Sequence, residues 1–243
     1  MRLKNLIAFD ISKYYLNKYI YFSKRGDNIM IIKNIKNRSI IFTHENLPEW
    51  DLHLHLILGN KHNFLIDTGL GSLSVEPVKE VLKNSPKPLI VINSHYHWDH
   101  VWGNDVFKGS TIISHSLCRE ILEQRWEQML EENGRYTFGT IEKELPNLTF
   151  NKELYFPEDK IRIFYTPGHT SDSISVLDEE EKILNVADNI GDNNDEIVPG
   201  LECGKDVYMS TLKIYKNIDF DTCISSHNKL LGKDVIDLIL GKL

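Results

Sequence analysis

Apolar and polar positions change rhythm along the chain, and that rhythm predicts the order of its elements. In the N-terminal third, "YIYFSK", "IMIIKN" and "SIIFTH" are short runs rich in β-branched and aromatic residues. They predict strands, with "RGDN" as the turn between the first two. "LHLHLIL" (52–58) alternates strictly, so Leu52, Leu54, Leu56 and Leu58 fall on one face and His53 and His55 on the other, polar one. "FLIDTGLG" reads as a strand entering a glycine-rich loop, "EPVKEVLK" as a helix, and "PLIVINS" and "STIISH" as strands. The period then lengthens. In "SLCREILEQRWEQMLEENG", Leu117, Ile121, Leu122, Trp126, Met129 and Leu130 share a helical stripe that Gly134 ends. "KIRIFYT", "SISVLD", "KILNVAD" and "TCISSH" predict later strands, interleaved with helices near 205–217 and 232–241. Strands first, then strands alternating with helices, predict an α/β layered architecture.

Composition narrows the setting. A chain of 243 residues, 41% hydrophobic and 26% charged, can bury a large core. No repeat, linker or compositional step divides it, so residues 1–243 read as one domain. The net charge of −7 argues against nucleic acid as a partner, because polyanion binding rests on a basic surface. The basic bias of residues 1–40 reads as the solvated face of N-terminal strands. Cys118, Cys203 and Cys223 form no CxxC and suggest neither a disulfide framework nor a thiolate metal knuckle, which fits a reducing cytoplasm. "MRLKNLIAFD" holds too short an apolar run for a signal peptide, and no stretch approaches a membrane span. The expectation is a cytoplasmic protein with no membrane partner; the sequence leaves the oligomeric state open.

The candidate chemistry lies in "NSHYHWDHVWGN" (93–104), where His95, His97, Asp99 and His100 crowd a predicted loop at a strand's end. A tight loop can turn such side chains toward one point. Imidazole nitrogen and carboxylate oxygen suit zinc first, with iron or manganese as alternatives. One loop supplies too few ligands to close two metal sites. His169 in "TPGHTSDS", Asp188 in "NVADNIGD" and His227 in "SSHN" each follow an apolar run, so each would project from one rim of a sheet if those strands run parallel.

The ordered series "LIDTG", "HYHWDH", "PGHT", "AD" and "SH" resembles the metallo-β-lactamase-fold hydrolase superfamily. The resemblance implies a four-layer αβ/βα sandwich with the metal site at one edge of its two sheets. It implies one metal held by His95, His97 and His169, a second held by Asp99, His100 and His227, and Asp188 bridging the two. Asp67 in "LIDTG" is then a support behind the site. Two divalent ions sharing a water would bring its pKa from about 15.7 toward neutrality, giving a hydroxide nucleophile at pH 7. Asp99 is the residue expected to orient that hydroxide and accept its proton. The expected enzyme is a dinuclear zinc-dependent hydrolase acting on a small-molecule ester, thioester or lactone. A mononuclear iron sulfur dioxygenase and a metal-dependent nuclease are the alternatives.

The branch is less defined. Asp188 instead of Cys at the bridging position, and the lack of an export signal, point away from secreted β-lactam-degrading members. "SHYHWDHVWGN" resembles hydroxyacylglutathione hydrolases, but the sequence ends at Leu243, soon after His227, and leaves no room for their glutathione-gripping helical domain. Homoserine-lactone lactonases often carry Tyr just after the bridging aspartate, where this chain has "DNIGDNN".

Other residues are read blandly. Arg135, Tyr136 and Phe138 are candidates for the mouth of the site, with ordinary surface packing the favoured reading. Asp192, Asp195 and Glu196 would disfavour strongly anionic substrates at the mouth, but are expected to face solvent. His53 and His55 are expected away from the metals. Trp98 and Trp102 are expected to pack the loop, with Trp98 also able to supply an apolar wall.

Overall fold

The computed structural model describes residues 18–22, 29–45, 50–193 and 195–243. The "RGDN" turn and the start of the basic N-terminal segment lie outside them.

The first sheet contains β1 (Lys18–Phe22), β2 (Ile29–Ile35), β3 (Ser39–Glu45), β4 (Leu52–Leu58), β5 (Asn63–Ile66), β6 (Leu89–Ile92), β7 (Thr111–His115) and β8 (Leu148–Phe150), adjacent in chain order. Helices α1 (Glu76–Leu82), α2 (Trp98–Val101) and α3 (Ser116–Asn133) fall between its last four strands. The second sheet contains β9 (Glu153–Phe156), β10 (Ile161–Tyr165), β11 (Ile174–Asp178), β12 (Ile183–Ala187), β13 (Thr222–Ser225) and β14 (Leu231–Gly232), in the order β14-β13-β12-β11-β10-β9. Helix α4 (Lys205–Asn217) precedes β13, and α5 (Val235–Lys242) follows β14.

The layers follow from where each strand's two faces bury. Leu54, Leu56 and Leu65 of the first sheet pack with Val75 and Val78 of the α1 region. Ile57, Phe64, Ile66 and Ile92, on the opposite faces, pack against Ile161, Ile163, Ile174 and Val176 of the second sheet. Leu184 and Val186 of the second sheet meet Tyr208, Leu212 and Tyr215 of α4 and Ile236 and Ile239 of α5. The result is helix, sheet, sheet, helix, the αβ/βα sandwich. The strict alternation of β4 is thus correct in phase, but its histidine face is not a solvated one. His55 is 1% exposed, because that face looks across to the second sheet.

The α3 stripe is buried through Cys118, Leu122, Trp126 and Met129, and Gly134 caps its end. β8, β9 and β14 have no counterpart in the predicted elements, being too short to show a period. The histidine motif also departs from a plain loop: Trp98–Val101 forms one turn of helix with His97 at its N-cap position.

Candidate metal centre

Strand direction brings the scattered motifs together. β10 is antiparallel to β11 and β11 to β12, while β12 and β13 are parallel, so β10, β12 and β13 all point one way. The segments beyond their C-terminal ends carry His169, Asp188 and His227 to one rim. In the first sheet β5 and β6 are parallel and deliver Asp67 and His95 to their own rim. The two rims are joined by Ile174 N–H donating to Ser94 O at 2.9 Å and by His53 N–H donating to Ser226 O at 2.8 Å.

Two left-handed residues aim the rim. Asp67 has φ 62° and Ala187 φ 48°, conformations that cost a non-glycine residue energy and persist only where the surroundings enforce them. At Ala187 the β12–β13 register shifts, and the irregularity redirects the following Asp188. In the "PGHT" turn, a Cβ on Gly168 would stand 2.6 Å from the Tyr208 ring and 2.7 Å from Asn189 Oδ1. Only glycine lets that turn lie so close, and Asn189 Oδ1 accepts the His169 N–H at 2.9 Å.

The ligand atoms of His95, His97, His169 and Asp188 all lie within 4.8 Å of one another, and so do those of Asp99, His100 and His227. His97 Nδ1 stands 3.0 Å from His95 Nε2 and 3.2 Å from His169 Nε2. Tetrahedral ligands about 2.0–2.1 Å from one zinc stand about 3.3 Å apart. Asp188 Oδ2 lies 3.6 Å from His95 Nε2 and His169 Nε2, and 3.4 and 3.2 Å from His100 Nε2 and His227 Nε2. It therefore stands between the two groups. Asp99 Oδ2 is 3.4 Å from both His100 Nε2 and His227 Nε2.

The far side of each ring shows what the near side is for. His100 Nδ1 pairs with Asp67 Oδ2 at 2.8 Å, His169 Nδ1 with Gly200 O at 2.7 Å and His227 Nδ1 with Asp51 O at 2.8 Å. These acceptors place the ring proton on Nδ1 and leave the Nε2 lone pair facing inward, the arrangement of a metal-ligating histidine. Lone pairs converging on one another repel unless a cation lies among them. His100 Nε2 and Asp188 Oδ1 are also buried without a hydrogen-bond partner among the described residues, which a protein tolerates where a bound group satisfies them. The donor set and its spacing fit two divalent cations.

Electrostatics agree. Burial works against a charged His100, but Asp188, Asp99 and Asp67 outweigh it and hold its pKa well above 6.5. His227 is likewise pushed up to about 9, against burial, by Asp188 and Asp99. Burial would raise the Asp188 pKa, but His227, His100 and His95 drive it well below the usual carboxylate range. The centre thus holds dense negative charge that attracts cations, as protons or as metal.

Two contributors, Glu202 and Asn189, had no signal in the sequence. Glu202 Oε1 accepts from the Tyr96 hydroxyl at 2.6 Å and lies 3.4 Å from His97 Nε2, behind the ring that offers Nδ1 to the centre. Glu202 N–H also donates to His169 O. Asn189 holds the His169 turn through Thr166 O. Asp67, which the sequence does single out, accepts from Ser94 N–H and Oγ, both at 2.7 Å, and from His100 Nδ1. His53 spans Thr43 Oγ1 and Asn228 O, both at 2.9 Å, and so braces the loop of His227 without facing the centre.

A cleft of about 450 Å³ opens over the centre, lined by Trp50, Trp98, Asp99, Val198 and Pro199 and by Asp192 and Glu196. Asp192, Asp195 and Glu196 are exposed, as expected, while the Gly191 N–H bond to Ile197 O holds the loop so that Asp192 and Glu196 also border the cleft. Trp50 meets His227 edge-on at 5.1 Å, and Tyr136 stacks on Trp98 at 5.2 Å and 16°. Arg135 lies over Tyr136, and Phe138 packs against His44. Trp102 is fully buried and packs the motif from beneath. No helix among the described residues is long and apolar enough to cross a membrane.

Comparison with known proteins agrees with this geometry. The chain is similar to the N-acyl homoserine lactonase of Bacillus cereus, 26% identical over 206 residues covering 71% of this chain and 77% of that protein. It is 25% identical over 155 residues to a probable metallo-hydrolase of Methanocaldococcus jannaschii, covering 63% of this chain and 64% of the relative. Among solved structures it shares the fold of a metallo-beta-lactamase from Pontibacter korlensis, with TM-score 0.66, 17% identity and coverage of 87% and 97%. The same holds for an archaeal metallo-beta-lactamase superfamily protein from Sulfolobus tokodaii, with TM-score 0.62, 21% identity and 79% of both chains covered. A family model described as the metallo-beta-lactamase superfamily matches residues 54–227, the span from β4 to the last candidate ligand. The chain therefore belongs to the metallo-beta-lactamase superfamily and is a metal-dependent hydrolase.

Proposed function

We propose that the chain is a dinuclear zinc hydrolase acting on a small ester, thioester or lactone. The observation that carries this reading is the position of Asp188 Oδ2, 3.2–3.6 Å from ring nitrogens of both ligand groups. His95, His97 and His169 would hold one ion, Asp99, His100 and His227 the other, and Asp188 both. Bound there, the ions supply a water of lowered pKa and polarise the substrate's carbonyl oxygen.

The chain's own residues do the rest. Asp99 turns Oδ2 toward His100 and His227 and lines the cleft, which leaves Oδ1 to orient the attacking water and take its proton. Burial would raise the Asp99 pKa, but His100 and His227 hold it below the carboxylate norm, so the group is ionised. Asp67, Gly200 O, Asp51 O and Glu202 hold the rings in place and fix which nitrogen faces inward. The likeness to an N-acyl homoserine lactonase supports a lactone or ester substrate over a phosphodiester.

The test is metal analysis with steady-state kinetics. Protein purified without chelator should hold about two zinc ions per chain and hydrolyse model aryl esters or lactones. Chelation should abolish the activity and zinc restore it. A single iron per chain with oxygen uptake on a persulfide would replace this reading with the dioxygenase one.

A further inference from the structure

The cleft over the metal centre has two unlike walls. One is aromatic: Trp50 and Trp98 line it 5.9 Å apart, and Tyr136 is stacked behind Trp98. The other is acidic, because the loop after Asp188 folds Asp192 and Glu196 into the same space. Among the described residues no Lys or Arg lines this cleft. The nearby cations stand outside it. Arg125 donates to the Tyr96 hydroxyl, Arg135 donates to the Tyr136 hydroxyl at 2.9 Å, and Lys229 borders the neighbouring depression together with Asp192, Asp195 and Glu196.

Charge counting then favours one substrate class. The positive charge of two divalent ions is already matched by Asp67, Asp99, Asp188 and Glu202. Asp192 and Glu196, offset by one charge from Lys229 beside them, therefore leave the loaded cleft net negative. Such a field repels anions and concentrates cations. Indole faces beside carboxylates also suit a cationic group, which is attracted to the ring quadrupole.

We infer that the substrate is a neutral or cationic ester or lactone bearing a flat apolar group held against Trp50 and Trp98, and that anionic substrates are selected against. This rests on the hydrolase reading above and adds the charge and shape of what the site accepts. Substrates whose recognition depends on a carboxylate, such as acidic thioesters and β-lactams, find no cationic partner in the cleft.

The experiment uses the zinc-loaded full chain and three aryl esters that differ only in a para substituent: hydrogen, trimethylammonium or sulfonate. Each kcat/KM is normalised to that ester's own hydroxide-catalysed rate. At low salt the trimethylammonium ester should exceed the sulfonate ester by about 10-fold or more, the lower end of what a focused field achieves, and added salt should narrow the gap. The double variant Asp192→Asn, Glu196→Gln should shrink the ratio several-fold. A second readout needs no turnover: the matching non-hydrolysable phenyl ethers are titrated by tryptophan fluorescence quenching, and Kd should follow the same order. Hydrolysis in which the sulfonate ester is equal or preferred overturns the inference and leaves the hydrolase standing. Failure to hydrolyse any ester, with the ether order intact, overturns the hydrolase reading and leaves the charge preference standing. Ethers that bind without regard to charge overturn the inference whatever the kinetics.

Discussion

His53 and His55 stand on β4 with one residue between them, as His95 and His97 do beyond β6, and in each pair one ring is fully buried and the other partly so. Burial lowers the pKa of His53 to about 4 and of His55 to about 3, and that of His95 well below 6.5, where neighbouring histidines add to it. Yet only the second pair meets other ligand atoms. On a strand, residues two apart stand about 6.6 Å from each other with parallel side chains, so their rings do not converge. Beyond the strand end the chain turns at His97 into α2, and the His95 and His97 ring nitrogens come to 3.0 Å. The HxH spacing is the same; the backbone beneath it decides whether it makes a brace or a candidate ligand pair.

The largest effect should come from breaking the converging pair. His95→Ala should lower zinc content from about two ions per chain toward one. It should cut ester hydrolysis by more than the roughly 10–100-fold that loss of an outer partner costs. His53→Ala should keep both ions and instead lower stability by about 1–3 kcal/mol, through unpaired Thr43 and Asn228 groups. Elemental analysis and urea titration of both variants check the contrast, and loss of zinc from His53→Ala alone would erase it.

A smaller effect should follow from changing what lies behind a ligand. Asp67→Asn removes the carboxylate that accepts from His100 Nδ1 at 2.8 Å and should weaken zinc binding by about 10–100-fold. Glu202→Gln should act at the low end of that range, because Glu202 is partly exposed and its contact with His97 is longer, at 3.4 Å. Tyr96→Phe should fall below both, since Tyr96 reaches His97 only through Glu202. Competition with a chromophoric chelator measures all three. Their order tests whether hydrogen-bond length and burial set the worth of a second partner.

The same contrast shows what was legible in the sequence. Strand and helix periods located β2 to β7, α3 and β10 to β13, because each buries a face that leaves a repeat of two or about 3.6 residues. All seven candidate ligands stood out because they follow apolar runs, and parallel strands carry those ends to one rim. Glu202, Asn189 and Trp50 were not legible. They sit in irregular segments whose direction is set by contacts distant in sequence, such as Glu202 N–H to His169 O and Gly191 N–H to Ile197 O. For the same reason the sequence shows Asp192 and Glu196 as solvated residues, which they are, but not that they also border the cleft.

The effect that is smallest at neutral pH isolates the brace side of the comparison. His55 is fully buried, its Nε2 has no partner among the described residues, and burial alone takes its pKa to about 3. In the unfolded chain the same ring titrates at 6.5. As pH falls below 6.5 the unfolded state binds a proton that the native state refuses until about pH 3, so the native state loses stability across that window. The slope from one such group reaches at most about 1.4 kcal/mol per pH unit. His55→Leu fills similar volume and removes the group. Stability of metal-free wild type and variant, measured by urea titration from pH 8 to 4, should run parallel above pH 7 and diverge below 6.5, the variant losing less. Both proteins keep the same seven candidate ligands, so acid effects at the metal centre cancel in the difference. Parallel curves throughout would mean that His55 is charged or solvated in the native state, and that the two histidine pairs differ less than their surroundings indicate.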